Sequence, residues 1–171
     1  MKYKSFETER LILQPTSTKD SEFIFQLFNS PKWLKYIGDR NIKSVENAKQ
    51  YINDNMMPQL QKLGYSSYTI IRKKDQQKIG TCGLYNRNGL DGIDIGFAFL
   101  PEYENKGFAF EAANRLKNAA FTEFDIERIL AITKKGNSGS HKLLKKLGLE
   151  LSGTITLPND NTELLLYTIE K

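Results

Sequence analysis

Two junctions in the sequence place glycine between the end of a predicted strand and the start of a predicted helix. In the first junction, IDIGFAFLPEYENKGFAF, Gly107 opens the helix. A helix N-terminus presents unpaired backbone N–H groups and about half a positive charge, which suits a pyrophosphate. Gly107 and Ala109 leave room for phosphate oxygens to approach the backbone. The patterns GxxxxGK[ST] and GxGxxG are both absent, so the junction is neither a P-loop nor a dinucleotide fingerprint.

The second junction, KKGNSGSHKLLKKLG, repeats this arrangement inside a strongly basic segment. Residues 128–149 contain six basic and no acidic residues, whereas the rest of the chain carries 19 basic and 20 acidic ones. The whole positive surplus therefore lies in one segment, which favours a small polyanionic ligand. The segment has no Phe, Tyr or Trp for base stacking, so nucleic acid is not expected as a partner. A solvated, lysine-rich helix face would explain the charge alone equally well.

Hydrophobic periodicity and turn residues predict which elements position these junctions. Strands are predicted over residues 10–14, 65–72, 78–85, 93–100, 129–133, 149–157 and 163–169. Helices are predicted after an N-cap at Thr18, from Ser44 to Gly64 with a disturbance at Pro58, and over residues 107–124 and 140–147.

The connections between these elements predict how the strands pair. The three strands between residues 65 and 100 are joined too tightly for parallel crossovers, so they form an antiparallel meander. The strand over residues 129–133 follows a helix and returns parallel to the strand over residues 93–100. Both junctions then lie at the carboxyl ends of neighbouring parallel strands, where ligands bind in open α/β sheets.

Length and composition restrict the class of protein. A chain of 171 residues and 19.6 kDa has the size of one domain. No apolar run approaches a membrane span, and MKYKSFETERL lacks the apolar stretch of a signal peptide, so a cytoplasmic protein without a membrane partner is expected. The only cysteine, Cys82, excludes an internal disulfide and is predicted to be a buried thiol. With His141 as the only histidine, a histidine-based zinc cluster without help from carboxylates is excluded, and no metal is expected.

Four stretches together resemble the GNAT family of N-acetyltransferases, most closely its ribosomal-protein N-terminal acetyltransferase subgroup. They are ETERLILQP, DIGFAFLPEYENKGFAFEA, NSGSHKLLKKLGLELSG and a C-terminal hairpin, and they span nearly the whole chain. The resemblance implies a single mixed α/β domain over residues 1–171. Its sheet would be mostly antiparallel with seven strands, a central splayed parallel pair and about four flanking helices.

The resemblance implies acetyl-CoA as the cosubstrate. The family signature [QR]xxGx[GA] falls on Glu104, Gly107 and Ala109, and the unusual Glu104 is expected to turn its side chain outward and contribute its backbone. The implied cofactor-binding residues are Phe97, Phe99, Leu100, Glu104, Asn105, Lys106, Gly107, Phe108, Ala109, Asn137, Ser140, Lys142 and Lys145. Backbone groups of the strand would bind the pantetheine arm as if it were an additional strand.

The implied reaction is direct attack of a neutral amine on the acetyl thioester in a ternary complex. Asp94 occupies the acidic position of the family strand and is the candidate base. Many relatives protonate the leaving thiolate with a Tyr at the position that Leu144 occupies here. That role is assigned to Ser140, with Tyr103 or water as alternatives. Trp33 and Tyr36 would border the acceptor pocket, although loop or core anchoring would explain them equally well.

The acceptor stays open at the level of sequence. The resemblance favours a protein N-terminal α-amine, and the alternative is a small amine such as a polyamine, an amino acid or an aminoglycoside. A CoA-binding sensor that has lost catalysis is a third hypothesis, because Leu144 and Glu104 depart from the family pattern. The protein is expected to be a monomer or a homodimer.

Overall fold

The computed structural model describes residues 2–171, which build one mixed sheet covered by helices. The strands are β1 (Phe6–Glu7), β2 (Leu11–Pro15), β3 (Ser67–Arg72), β4 (Gln77–Asn86), β5 (Ile93–Phe99), β6 (Arg128–Lys134), β7 (Glu150–Thr156) and β8 (Glu163–Glu170). Across the described residues these eight strands are ordered β1-β2-β3-β4-β5-β6-β8-β7. All neighbours pair antiparallel except β5 and β6, which are parallel.

The helices connect and cover these strands. They are α1 (Ser21–Phe28), α2 (Pro31–Tyr36), α3 (Val45–Tyr51), α4 (Met57–Leu63), α5 (Phe108–Thr122) and α6 (Ser138–Lys146). A π-helical stretch, Ile52–Met56, joins α3 to α4. It ends just before Pro58, whose missing N–H and bulky ring disrupt regular α-helical bonding to the preceding turn. Gly64 ends α4 in the left-handed conformation (φ 85°).

The helix α5 packs on one face of the sheet and forms the main core. Its alanines and Leu116 contact the apolar side chains of β2, β3, β4 and β5 that point to this face. Small side chains at Ala112, Ala113, Ala119 and Ala120 bring the helix close to the sheet. On the opposite face, α1 and α3 build a second apolar cluster that includes Leu100 at the end of β5. The region between β5 and β6 therefore has α5 on one side and α1 to α3 on the other.

The sequence-based element assignments are confirmed with four differences. The sheet contains an eighth strand, β1, whose two residues are too few for a periodic pattern. The residues between the first two predicted helices form a helix of their own, α2, which begins at Pro31. Ser17, not Thr18, is the N-cap, and a short 3-10 turn precedes α1. The predicted helix over residues 140–147 begins two residues earlier, at Ser138.

The buried residues include Cys82, as predicted, and burial raises the pKa of its thiol to about 12. The thiol is thus protonated at neutral pH and unsuited to nucleophilic chemistry. Among residues 2–171, no helix has the length and apolar character needed to cross a bilayer.

Leu116→Ala tests the role of α5 as the centre of the main core. Leu116 is fully buried, so its truncation should lower the free energy of unfolding by about 2 to 5 kcal/mol. Urea denaturation monitored by circular dichroism measures this loss. Leu151→Ala, at a leucine that is 55% exposed, should change stability by less than about 0.5 kcal/mol. Equal losses for the two variants would contradict this assignment of the core.

Candidate active site

The parallel strands β5 and β6 pair at their beginnings and then separate. Their ladder consists of Ile93 with Ile129 and Asp94 with Leu130. Both strands continue well beyond this ladder, β5 to Phe99 and β6 to Lys134. The facing edges of the two strands are therefore free of each other from Ile95 and Ala131 onward. An extended ligand can bind such an edge through main-chain hydrogen bonds as an additional strand.

A tight loop connects the open end of β5 to α5. The loop contains a 3-10 turn, Pro101–Tyr103, and two residues with left-handed backbone, Asn105 (φ 57°) and Gly107 (φ 82°). Gly107 is the N-cap of α5 and provides no side-chain acceptor, so the first N–H groups of the helix stay available. This is the geometry that the first junction predicted for an anion site.

Arg10, which directly precedes β2, holds this loop together with Thr8 and Glu111 in a cluster that is called the clamp below. Its Nη1 donates to the Lys106 carbonyl oxygen at 3.0 Å, and its Nε donates to Glu111 Oε2 at 2.7 Å. The Thr8 hydroxyl donates to Glu111 Oε1 at 2.6 Å, and the Arg10 N–H donates to the same oxygen at 2.9 Å. The guanidinium also lies over the Phe108 ring, 4.3 Å from its centroid. Sequence analysis missed this clamp because about one hundred residues separate its two halves.

The electrostatics of the clamp favour an ionised Glu111. Partial burial opposes the charged form, but the bonds from Thr8 and from Arg10 outweigh it and hold the pKa of this carboxyl below its ordinary value. Since the pKa of Glu111 is lower in the folded protein than in the unfolded chain, the clamp stabilises the fold at pH values above the unfolded pKa of Glu. This contribution disappears as the pH falls through the folded pKa. At neutral pH the loop is held by a charged pair.

Glu104, the residue that departs from the family signature, forms an ion pair with Lys32. The carboxylate is half-buried, and Lys32 reaches it from α2. The neighbouring Asn105 and Lys106 are exposed, whereas Phe108 is buried beneath Arg10 and Ala109 packs against the main core. On the strand, Phe97 and Phe99 pack into the main core and Leu100 packs into the second cluster.

The second loop leads from β6 into α6 and is fixed by Asn137 and His141. Asn137 is the N-cap of α6, and its Oδ1 accepts from the Ser140 N–H at 3.3 Å. The His141 Nε2 lies 3.0 Å from the Lys135 carbonyl oxygen, and its Nδ1 lies 2.9 Å from the Tyr167 hydroxyl. His141 therefore ties the loop to β8 and is not paired with Cys82. Lys142 and Lys145 are exposed on α6.

Asp94 lies where β5 begins to leave β6, on the side of the sheet that faces away from α5. Its side chain is 2% exposed, and its two oxygens lie 3.3 and 3.4 Å from Nε and Nη2 of Arg87. Arg87 comes from the loop between β4 and β5, and sequence analysis did not single it out. Its contacts are longer than the roughly 2.7 to 2.9 Å of strong charge-assisted bonds, so the buried carboxylate is only partly stabilised.

Burial raises the pKa of Asp94, and the opposing charge and hydrogen bonds of Arg87 do not fully offset it. The carboxyl is therefore a stronger proton acceptor than an exposed aspartate. Beside it, the Tyr85 ring lies flat across two glycines of the sheet. A Cβ built at Gly83 would lie 2.3 Å from this ring, and one at Gly96 would lie 3.1 Å from it. The paired glycines make room for an aromatic floor next to the carboxylate.

Trp33 and Tyr36, the predicted acceptor residues, both lie on α2. The Trp33 ring stacks on Phe28 of α1 with centroids 3.8 Å apart, so it anchors α2 to the second cluster. Its indole N–H is buried and has no hydrogen-bond partner within residues 2–171. Tyr36 is half-buried, with the Lys35 ammonium 5.0 Å from its ring centroid. The anchoring interpretation of Trp33 is thus correct, and its free donor leaves a binding role open as well.

The two predicted catalytic residues lie at different depths of the cleft. Asp94 pairs with Leu130 near the start of β6, whereas Ser140 follows the end of β6 in the first turn of α6. The four residue-to-residue steps from Leu130 to Lys134 extend about 13 Å along the strand. Leu144, at the position of the Tyr in many relatives, is 1% exposed and packs in the main core. A cosubstrate that lies along the cleft would be needed to connect the two ends.

These features fit acetyl-CoA, the cosubstrate implied by the resemblance. The free strand edges suit a pantetheine arm, and the uncapped start of α5 suits a diphosphate. Gly107 forms a cradle that a side chain would fill, because a Cβ there would lie 3.2 Å from Arg10 Nη2. No cluster of three or more His, Cys, Asp or Glu side chains arranged to hold a metal ion occurs within the described residues.

Comparisons with known proteins agree with this description. The family model described as "Acetyltransferase (GNAT) domain" matches residues 10–150. The uncharacterized N-acetyltransferase p20 of Bacillus licheniformis is 31% identical over 150 residues, 86% of this chain and 83% of that protein. A GNAT-family acetyltransferase structure from Bacillus anthracis is 25% identical with a TM-score of 0.80, covering 98% of both chains.

A solved structure of RimL, a ribosomal L7/L12 α-N-protein acetyltransferase in complex with coenzyme A, has the same fold. It is 17% identical to this chain, its TM-score is 0.83, and 98% of both chains are covered.

Gly107→Val tests the diphosphate cradle. Valine must adopt a left-handed backbone there and also crowds Arg10, so affinity for acetyl-CoA should fall at least about tenfold. Isothermal titration calorimetry with desulfo-CoA measures the affinity without turnover. Lys19→Ala, which removes a lysine side chain elsewhere on the surface, should bind like the wild type. The same loss in both variants would refute the cradle.

Proposed function

The chain belongs to the GNAT family and is an N-acetyltransferase, and we propose that its acceptor is the α-amine of a protein N-terminus. The observation that carries this proposal is the pairing of Asp94, a buried carboxylate on the face of the sheet away from α5, with Arg87. The pair leaves the pocket nearly neutral in charge. A polyamine would meet a guanidinium there, whereas a peptide offers carbonyl oxygens that Arg87 can bind.

We place acetyl-CoA along the cleft between β5 and β6. The N–H groups at the start of α5, with Gly107 and the backbone of residues 104–106, would bind the diphosphate. The free edge of β5 from Phe97 to Leu100 would bind the pantetheine arm, and Asn137 and Ser140 would lie beside it. Lys142 and Lys145 are exposed on the same helix and available for the charged end of the molecule. Acetyl-CoA supplies an activated acyl group with a thiolate leaving group.

The proton balance supports an α-amine over a lysine-like amine. At pH 7 about a tenth of an α-amine of pKa near 8 is neutral, which costs about 1.4 kcal/mol. For an amine of pKa near 10.4 the cost is roughly 4.6 kcal/mol. Asp94 is nearly inaccessible to solvent and already pairs with Arg87. It therefore suits an amine substrate whose proton can reach the carboxylate through a relay. We assign it that role.

We assign protonation of the leaving thiolate to Ser140. Ser140 is half-buried in the first turn of α6, which follows the end of β6, and its N–H donates to Asn137 Oδ1. The thiolate of a thiol with pKa near 8.5 is a fair leaving group even without an acid. Protonation by Ser140 should therefore contribute less to the rate than proton removal by Asp94. Tyr103 is a weaker candidate because its side chain packs against both apolar clusters.

A small amine is the second candidate acceptor. The spermidine N(1)-acetyltransferase of Escherichia coli is 22% identical over 144 residues, 84% of this chain and 74% of that protein. Displacement of Arg87 from Asp94 would expose a carboxylate to such a cation.

A thiol-release assay with a panel of acceptors decides between these candidates. The panel contains peptides that begin with Ala, Ser or Met, polyamines, amino acids and aminoglycosides. We expect the highest kcat/KM with a peptide, rising to a plateau near pH 8 because the α-amine titrates there. Faster turnover of a polyamine would replace the proposal with the second candidate. Tight CoA binding without turnover of any acceptor would favour the sensor hypothesis.

Asp94→Asn and Arg87→Ala test the proton acceptor. Asp94→Asn should lower kcat by about 10²-fold while CoA affinity changes little. In the wild type, kcat/KM should fall as the pH drops through the raised pKa of Asp94, since the ionised carboxylate is the active form. Arg87→Ala removes the opposing positive charge, so the pKa rises further and this acidic limb moves to higher pH.

Arg128→Ala is the matched control for Arg87. Arg128 donates to the Asp91 carbonyl oxygen in the same loop at 2.6 Å but does not contact Asp94. Its removal should leave the acidic limb in place. If both variants move the acidic limb alike, the position of the loop and not the guanidinium of Arg87 sets the pKa of Asp94. If Asp94→Asn keeps full activity, water alone accepts the proton.

A further inference from the structure

The helix α2 spans the open end of the cleft and is tied to both strands that form it. On one side, the Lys32 ammonium pairs with Glu104, which follows β5. On the other side, the ammonium of Lys134, the last residue of β6, donates to the Lys35 carbonyl oxygen at 3.0 Å. Between these ties, Trp33 stacks on Phe28. One short helix therefore connects the diphosphate loop, the end of β6 and the acceptor side.

Glu104 creates an electrostatic problem that Lys32 is placed to solve. A carboxylate beside a bound diphosphate would repel it, and this carboxylate is only 22% exposed, so water screens it incompletely. Lys32 is 59% exposed, and an ammonium group has three N–H donors, of which Glu104 occupies one. The remaining donors are available beside the loop.

We propose that Lys32 is a phosphate-binding residue of the acetyl-CoA site, supplied by the acceptor-side helix α2. It neutralises Glu104 and donates its remaining N–H groups to the diphosphate. Bound acetyl-CoA then holds α2, and Trp33 with it, against the acceptor pocket. The proposal rests on the proposed function only in taking the diphosphate to be that of CoA.

The ion pair between Lys32 and Glu104 is not explained by a contribution to folding stability. Lys32 is 59% exposed, and ion pairs with an exposed partner contribute little to folding, so the loss of this one should barely change the melting temperature of the free protein. A charge-assisted bond to phosphate contributes more, about 10-fold to 100-fold in affinity. An experiment can therefore distinguish a phosphate-binding role of Lys32 from a purely stabilising one, because only the phosphate-binding role changes the affinity for CoA.

Lys32→Ala, titrated with CoA in the calorimeter, tests the proposal. At low salt we expect affinity to fall about 10-fold or more, as the contribution of such a bond implies. The loss should shrink at 0.5 M salt, where exposed charges are screened. Lys35→Ala is the matched control, since it removes a lysine side chain from the same helix, and the Lys35 ammonium lies 5.0 Å from the centroid of the Tyr36 ring and forms no ion pair within residues 2–171. Equal CoA affinity for Lys32→Ala and Lys35→Ala would overturn the proposal.

The double variant Lys32→Ala/Glu104→Gln tests the charge compensation. Lys32→Ala leaves the carboxylate unpaired, so Glu104→Gln in that background should restore part of the affinity. Failure to restore any affinity would overturn the compensation by Lys32. Because CoA binding is measured directly, the result is independent of the acceptor. Absence of acetyl transfer to every amine would refute the proposed function and leave this measurement unaffected.

Discussion

The parallel strands β5 and β6 separate after two residue pairs. Beyond that point each strand pairs only with its neighbour on the outer side. β4 pairs with β5 over seven residues, from Ile93 to Phe99, and β8 pairs with β6 over its whole length. The C-terminal hairpin of β7 and β8 is therefore a structural requirement for the cleft, because without β8 the strand β6 would have no partner beyond Leu130. Buried main-chain groups require partners, so a sheet can be open at this point only if both flanking ladders are complete.

The loops at the mouth of the cleft depend in the same way on distant residues. Arg10 on one side of α5 fixes the Lys106 carbonyl and Glu111, and Lys134 and Lys32 fix the helix α2. Left-handed backbone at Asn105 and Gly107 is strained or entropically costly, and such loops persist when their surroundings determine their conformation. The contacts of Arg10 on one side of the loop and of Lys32 on the other supply that support.

The sequence predicted the elements of this site well and its contacts poorly. Periodicity and glycine punctuation located β5, α5, β6 and α6 to within two residues, because these signals are local. The resemblance predicted the splayed pair, which the structure confirms, and it indicated Asp94 as the candidate base, a role that stays a prediction. Neither could identify Arg87 as the partner of Asp94 or Arg10 as the partner of Glu111, since such pairings depend on how the chain returns in space. The strand β1 and the helix α2 are short, and tertiary packing rather than intrinsic propensity determines them.

The charge of the site shows the same limit. Counting along the sequence treats every basic residue between residues 128 and 149 as free, but hydrogen bonds or ion pairs engage three of these six residues, and the ammonium of a fourth, Lys146, lies 4.2 Å from the Phe110 ring centroid. Arg128 binds the Asp91 carbonyl, Lys134 binds the Lys35 carbonyl, and Lys135 pairs with Glu163. Two cations that contact the loop between β5 and α5, Arg10 and Lys32, belong instead to the remainder of the chain, where the charges nearly cancel. The field that an anion meets at this cleft is therefore set by the packing of α2, β2 and α5, which brings together charges that sequence arithmetic averages away.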